Sequence, residues 1–196
     1  MNTLDYYNSN ANSYFDYTLA SDMSTAYERF SRYLNKGDYI LDFGCGSGRD
    51  SKYFIENGYK VDSIDGSIEL CHLASKYINQ EVKCMKFEEL NEIEKYDAIW
   101  ACASLLHVPK NELKNILIKL KNALKVNGVM YISLKNGTGE EEKNGRYFNY
   151  LTYEEFMSII KSINSLIEID FYETISNINK DEDKVWNNFI LRKVEV

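Results

Sequence analysis

Basic residues, proline, cysteine and long apolar runs are all in short supply in this 196-residue sequence, and each shortage excludes something. Lys and Arg number 23 against 30 Asp and Glu, a net charge of −7, which leaves no electrostatic footprint for gripping a polyanion, so nucleic acid is a disfavoured partner. No stretch of about eighteen consecutive apolar residues occurs, and the start Met1-Asn2-Thr3-Leu4-Asp5 has neither a basic region nor an apolar run. A cytoplasmic protein without a membrane span is expected. The four cysteines, Cys45, Cys71, Cys84 and Cys102, show no CxxC spacing. Buried reduced thiols are therefore expected, with no metal and no disulfide. Against these shortages stand 44% apolar and 14% aromatic residues, enough for one sizeable core and a single domain over residues 1–196.

The hydrophobic periodicity organises the chain. Residues 4–35 read as helical, broken at Leu19-Ala20-Ser21-Asp22, with Ala26, Tyr27, Phe30 and Leu34 on the second helix. Strands follow at Tyr39 to Phe43 and Tyr59 to Ile64, separated by a helix that ends at Gly58. Ser67 caps a helix with Leu70, Leu73, Ala74, Tyr77 and Ile78 on one stripe. Val82 to Met85 and Asp97 to Ala103 are two further strands; Pro109 opens a helix that Asn127-Gly128 closes, and Val129 to Leu134 is the fifth strand. Strand and helix alternate, which implies a parallel sheet with right-handed crossovers. Asn136 to Asn149 is a polar stretch too long for an ordinary connection, so residues 136–150 are expected to be a substrate lid loop. Thr152-Tyr153-Glu154-Glu155 is a capping box, and two strands, Leu166 to Thr174 and Val185 to Lys193, flank a charged turn at Asn177 to Asp183.

Function is concentrated in Ile40-Leu41-Asp42-Phe43-Gly44-Cys45-Gly46-Ser47-Gly48-Arg49 and in Asp65-Gly66 beyond it. An apolar strand running into alternating glycines and then a helix brings bare backbone close to a ligand. Asp65, about 20 residues on at the end of the next strand, stands where a doubly wound sheet places the carboxylate that accepts ribose hydroxyls. Together they predict a nucleoside-containing cofactor. Dinucleotide sites want Gly-x-Gly-x-x-Gly, whereas the spacing here is Gly44-x-Gly46-x-Gly48 with Asp42 in the strand end. That carboxylate would repel a pyrophosphate and suits a cation.

The pattern resembles the first motif of the class I S-adenosylmethionine-dependent methyltransferases, and Gly48-Arg49-Asp50-Ser51 is similar to the Gly-Arg-x-Ser of those related to tellurite-resistance proteins. The resemblance covers nearly the whole chain. It implies an α/β, Rossmann-like, doubly wound seven-stranded sheet with helices on both faces, mostly parallel with an antiparallel C-terminal strand. It also implies S-adenosylmethionine as cofactor, held by Gly44, Cys45 and Gly46 at its methionine part and by Asp65 and Gly66 at its ribose. Ala101 leaves room for the sulfonium. Residues 1–35 form an N-terminal helical cover in which Tyr14 is the preferred contact. Arg49, a cation at a helix start, needs an anion: the cofactor carboxylate, or Asp50 or Asp22 in an ion pair. Lys86 occupies the place where the family has an acid for the adenine amino group, so Phe87 is expected to supply that contact.

The same resemblance orients the acceptor side. His107 stands at the predicted mouth, where a neutral imidazole can take a proton, while His72 lies within a regular helix. Gly145-Arg146-Tyr147-Phe148 ends the lid: Arg146 suits an anionic substrate, Tyr147 would orient or deprotonate it, and Phe148 would line it. Methyltransferases acting on base amines typically carry two prolines after the fourth strand; this chain has Pro109 alone. The expected activity is methyl transfer to a small molecule by in-line displacement, from a monomer or homodimer. A protein or RNA acceptor, or cofactor binding without catalysis, are the alternatives.

Overall fold

The computed structural model describes residues 2–175 and 185–195. The expected turn at Asn177 to Asp183 lies outside them. Three helices come first: α1 (Thr3–Ser9), α2 (Ala11–Leu19) and α3 (Ser24–Ser31). The alternating segment follows as β1 (Tyr39–Phe43), α4 (Arg49–Glu56), β2 (Lys60–Asp65), α5 (Ile68–Ile78), β3 (Val82–Cys84), β4 (Tyr96–Ala101), α6 (Lys110–Ala123) and β5 (Leu124–Lys135). A small hairpin, β6 (Glu140–Lys143) and β7 (Arg146–Asn149), precedes α7 (Tyr153–Lys161), β8 (Leu166–Ile175) and β9 (Val185–Lys193).

The main sheet has seven strands in the order β3-β2-β1-β4-β5-β9-β8. β1 to β5 pair in parallel, and β9 runs antiparallel between β5 and β8. The order reverses between β1 and β4, and a crevice at such a switch point, beyond the C-terminal strand ends, is where doubly wound sheets bind ligands. Both faces are covered, as parallel strands require. One apolar layer joins Leu41, Phe43 and Ile99 to Leu113, Leu117 and Leu120 of α6 and Phe156 and Ile160 of α7. The other joins Ile40, Ala98 and Trp100 to Tyr27 and Phe30 of α3 and Phe54 of α4. Successive strand residues face opposite sides, so Asp42 shares the side of Ile40, toward α4.

Four local expectations need correction. Residues 3–19 form two helices, broken at Asn10, whose side-chain N–H donates to Tyr6 O (2.8 Å). Asn127-Gly128 does not stop α6, which ends at Ala123; the pair sits inside β5, where the register with β4 shifts between Tyr96 and Ala98 and Asn127 has φ +66°. Residues 136–150 are not an irregular loop, because Asn144 (φ +52°) and Gly145 (φ +77°) turn β6 tightly back on β7. Cys84 is exposed, not buried. Among the described residues no helix is long and apolar enough to cross a membrane.

Gly128 lies where strand and helix end crowd together: a Cβ there would stand 2.8 Å from the Asp97 carbonyl oxygen and 2.8 Å from Leu124 Cγ. A backbone oxygen cannot yield. Gly128→Ala is therefore expected to destabilise the fold by about 1–3 kcal/mol, as overpacking does, read as a lower urea midpoint at unchanged slope; an unchanged midpoint refutes the crowding.

Candidate active site

The crevice floor is the turn from β1 into α4. Gly44 (φ +84°), Gly46 (φ +55°) and Gly48 (φ +78°) all lie in the left-handed region, which glycine enters without strain. The N–H groups of Gly44 and Cys45 both donate to Ile64 O (3.0 and 2.9 Å), pinning the turn to β2. Side chains bear closely on the bare backbone. A Cβ on Gly44 would stand 2.6 Å from Ser104 Cβ and 3.2 Å from Phe87 Cζ, and one on Gly46 would stand 3.2 Å from the Tyr14 ring. Phe87 in turn stacks on Phe43 with centroids 4.3 Å apart. Thus Gly44, Gly46, Tyr14 and Phe87 come together, as the sequence predicted. The N–H of Lys86 is taken by Glu89 (2.7 Å).

Asp65 closes the end of β2. Its two carboxylate oxygens accept separately from the N–H of Gly46 (2.9 Å) and of Ser67 (2.8 Å). Burial raises its pKa, against the opposing pull of N–H groups from Ser67, Gly46 and Gly66. α1 lies over this corner: Leu4 packs within 2.8 Å of the Cβ position of Gly66, and Ser67 Oγ donates to Asn8 Oδ1 (2.7 Å).

A second carboxylate settles the awkward placement of Arg49. Arg49 donates through Nε and Nη2 to both oxygens of Asp50 (2.7 and 2.9 Å) and through Nη1 to Thr18 O (3.2 Å). Tyr27 and Trp100 also donate to Asp50, at 2.5 and 2.8 Å. Burial pushes the Asp50 carboxyl up, but the Arg49 charge and these four hydrogen bonds outweigh it and hold Asp50 below the usual range. Asp42 responds in the opposite sense. Burial, with the Asp50 charge beside it, pushes Asp42 up to about 8. It accepts from Ser51 Oγ (2.6 Å), which also meets Ser63 Oγ (2.7 Å).

At the end of β4, Ala101 is fully buried and Ala103 adopts φ +50°, a strained setting for a residue with a Cβ. Its N–H donates to Ser133 Oγ (2.8 Å). The short turn Leu105–His107 then delivers the imidazole. His107 Nδ1 lies 2.7 Å from Tyr147 O, and because a carbonyl only accepts, Nδ1 carries the proton. Nε2 therefore offers a lone pair, which accepts from the Tyr7 hydroxyl at 2.7 Å. Burial lowers the His107 pKa to about 4; the bond to Tyr147 opposes this, and the charges of Arg146 and Lys135 add to it. Burial likewise pushes the Tyr7 hydroxyl up to about 12, with Arg146 pulling the other way.

The hairpin supplies the last wall. Alternation along β7 puts Arg146 and Phe148 on one face and Tyr147 on the other. Arg146 accordingly stacks between the Tyr6 ring (4.5 Å) and the Phe148 ring (5.0 Å), and Phe148 packs 5.1 Å from His107. The Tyr147 hydroxyl instead donates to Glu140 across the hairpin. Its main chain is what reaches the site, the carbonyl to His107 and the N–H to Thr3 Oγ1 (2.9 Å). Sequence reasoning places the Tyr6-Tyr7 pair in the N-terminal cover but prefers Tyr14, and it misses Asn8, Tyr27, Trp100 and Ser133.

The donor set fits a cationic, phosphate-free nucleoside ligand. Acidic side chains line the glycine turn: Asp50 is paired with Arg49, Asp42 is held largely protonated, and Asp65 faces the turn with no cation paired to it among the described residues. A family model described as a methyltransferase domain matches residues 15–169. The chain belongs to the methyltransferase domain family. The class I resemblance read from the glycine turn is thereby shown. Among curated methyltransferase relatives, N-terminal Xaa-Pro-Lys N-methyltransferase 1 of Bos taurus is 26% identical over 57% of this chain and 56% of its own length. Ubiquinone biosynthesis O-methyltransferase of a Bradyrhizobium species is 27% identical over 56% of this chain and 46% of its own. The chain spans about half the length of the curated relatives it matches. By structure it resembles Burkholderia thailandensis 1,6-didemethyltoxoflavin-N1-methyltransferase, solved with S-adenosylhomocysteine: TM-score 0.80, 19% identity, 98% of this chain and 87% of that one. Synechocystis magnesium protoporphyrin IX methyltransferase gives 0.75 at 16% identity, over 96% and 97%.

Asp50 joins α3, α4 and β4, so its removal strands the Arg49 guanidinium. Asp50→Ala is expected to cost about 3–5 kcal/mol, as breaking a buried pair does, measured by chemical denaturation. A loss below about 1 kcal/mol, the range of a surface pair, overturns this account.

Proposed function

We propose that this methyltransferase-family chain binds S-adenosylmethionine in the crevice between β1 and β4 and transfers its methyl group to a small-molecule acceptor. The observation that carries the reading is Asp65, held at the end of β2 by the N–H groups of Gly46 and Ser67 and facing the glycine turn. In this reading Asp65 binds the ribose hydroxyls and the Gly44–Gly46 backbone approaches the methionine part. Asp42, beneath the turn, supplies a buried polar floor. Phe87 packs on the adenine, and Arg49 reaches the cofactor carboxylate with whatever donor capacity Asp50 leaves it. The bound cofactor supplies an already reactive methyl on a sulfonium, so the protein's task is to align the acceptor and exclude water.

A small acceptor is favoured by the roof. Tyr7 meets His107, Thr3 meets Tyr147, and Phe148 backs them, so three separate parts of the chain converge over the end of β4. A macromolecular acceptor, which the Xaa-Pro-Lys relatives bring to mind, would need that roof displaced. His107 is the proton acceptor of this reading. Its lone pair points at Tyr7, so an acceptor proton passes through the Tyr7 hydroxyl to Nε2.

Two measurements test this. Asp65→Ala removes two charge-assisted hydrogen bonds, each worth about 1.5–3 kcal/mol, and is expected to weaken S-adenosylhomocysteine binding in calorimetry at least tenfold; equal affinity in a folded variant ends the ribose assignment. For His107, depression to about 4 keeps the imidazole neutral, and so able to accept a proton, at every pH above that value. kcat/KM is expected to be flat from pH 7 down through the ordinary histidine range near 6.5. A fall centred near 6.5 refutes the depression of the His107 pKa, and an unchanged kcat in His107→Ala excludes His107 as the base.

A further inference from the structure

Arg146 carries an unmet demand at the acceptor end. Its Nε is buried and has no hydrogen-bond partner; its guanidinium interacts with the Tyr7 hydroxyl, and among the described residues no carboxylate pairs with it. A buried guanidinium N–H without a partner is costly, of order 1–3 kcal/mol, and such a group in a native fold asks for a missing ligand. Arg192 shares the orphaned Nε, yet it pairs with Val129 at the opposite end of the parallel strands, far from the crevice. Arg146 has this demand beside His107 and Tyr7, and Ser104 Oγ, next to Gly44, is a second buried polar atom there without a partner.

The two stacked rings restrict how the demand can be met. The guanidinium carbon lies 4.5 Å from the Tyr6 ring centroid and 5.0 Å from that of Phe148, so aromatic rings flank a group whose N–H bonds all point outward in its own plane. A planar carboxylate lying in the guanidinium plane matches its edge with two parallel bonds. A phosphate can also take two parallel bonds from an arginine fork, but its remaining oxygens would approach the flanking aromatic rings. We propose that the acceptor bears a carboxylate, which Arg146 grips edge-on through Nε–H and a neighbouring Nη–H. This inference rests on the methyltransferase reading of the site and names the class of its acceptor.

The test uses the full chain saturated with S-adenosylhomocysteine, titrated calorimetrically with acetate and benzoate, and in parallel with acetamide, benzamide and inorganic phosphate. Expected is binding of a carboxylate with no binding of its amide or of phosphate. Arg146→Lys keeps the charge but not the fork, and is expected to bind the carboxylate about tenfold more weakly while holding S-adenosylhomocysteine as before. The wild-type comparison stands even if a variant fails to fold. Equal affinity for carboxylate and amide, preference for phosphate, or undiminished carboxylate binding by Arg146→Lys each overturns the inference while leaving the methyltransferase reading intact. Failure to bind S-adenosylhomocysteine at all overturns both.

Discussion

A buried carboxylate at the first turn of α4 is the constraint around which the site is assembled. Asp50 is removed from water and would be costly there without partners; it receives hydrogen bonds from Arg49 on its own helix, Tyr27 on α3 and Trp100 on β4. Those bonds fix the angle at which α4 leaves the sheet. The angle decides where the Gly44–Gly48 turn lies, and the turn decides where a ligand meets bare backbone. The same charge suppresses ionisation of Asp42, so one acid is ionised and bonded while its neighbour beneath the turn is held largely protonated near neutral pH. Two carboxylates pushed apart in this way let a cation-seeking crevice exist without electrostatic self-repulsion dismantling it.

The cover is built differently. α1 has seven residues and no side chain enclosed in the core, although the Tyr7 hydroxyl is shielded from water, and it is too short to be stable by itself. It is held by point contacts: Leu4 on Gly66, Asn8 on Ser67, Thr3 on Tyr147 and Tyr7 on His107. Elements attached through a few contacts open at low free energy while the core stays folded.

The alternation of strands and helices was legible because each element buries a large apolar face, and the glycine turn and Asp65 were legible because their backbone demands are specific. The failures have a common cause in turns whose flanks carry no pattern. Asn144-Gly145 is the strongest short hairpin signal, but Glu140–Lys143 is exposed throughout and shows no hydrophobic alternation. Missing β7 hid the period of two that separates the Tyr147 side chain from Arg146 and Phe148. Asn127-Gly128 carries a similar signal and forms an irregularity within β5 instead. The Tyr6-Tyr7 pair was legible as part of the N-terminal cover, but with 16 tyrosines nothing in the sequence singles out Tyr7, whose bond to His107 spans 100 residues.

The two halves of the crevice have opposite polarity, and that polarity links binding to basicity. Asp42, Asp50 and Asp65 sit under the glycine turn, while Arg146 and Lys135 stand around His107. With the acceptor end bare, burial and these cations keep His107 a weak base. An anion docked on Arg146 cancels part of the nearest positive charge, and an opposite charge within a few ångströms raises a histidine pKa. On the proposed reading, His107 would become more basic when an acidic acceptor is in place. Burial alone would not give that dependence, since it depresses the imidazole whether or not an acceptor is bound; on the proposed reading, the cation on β7 would make the strength of the base conditional on the substrate.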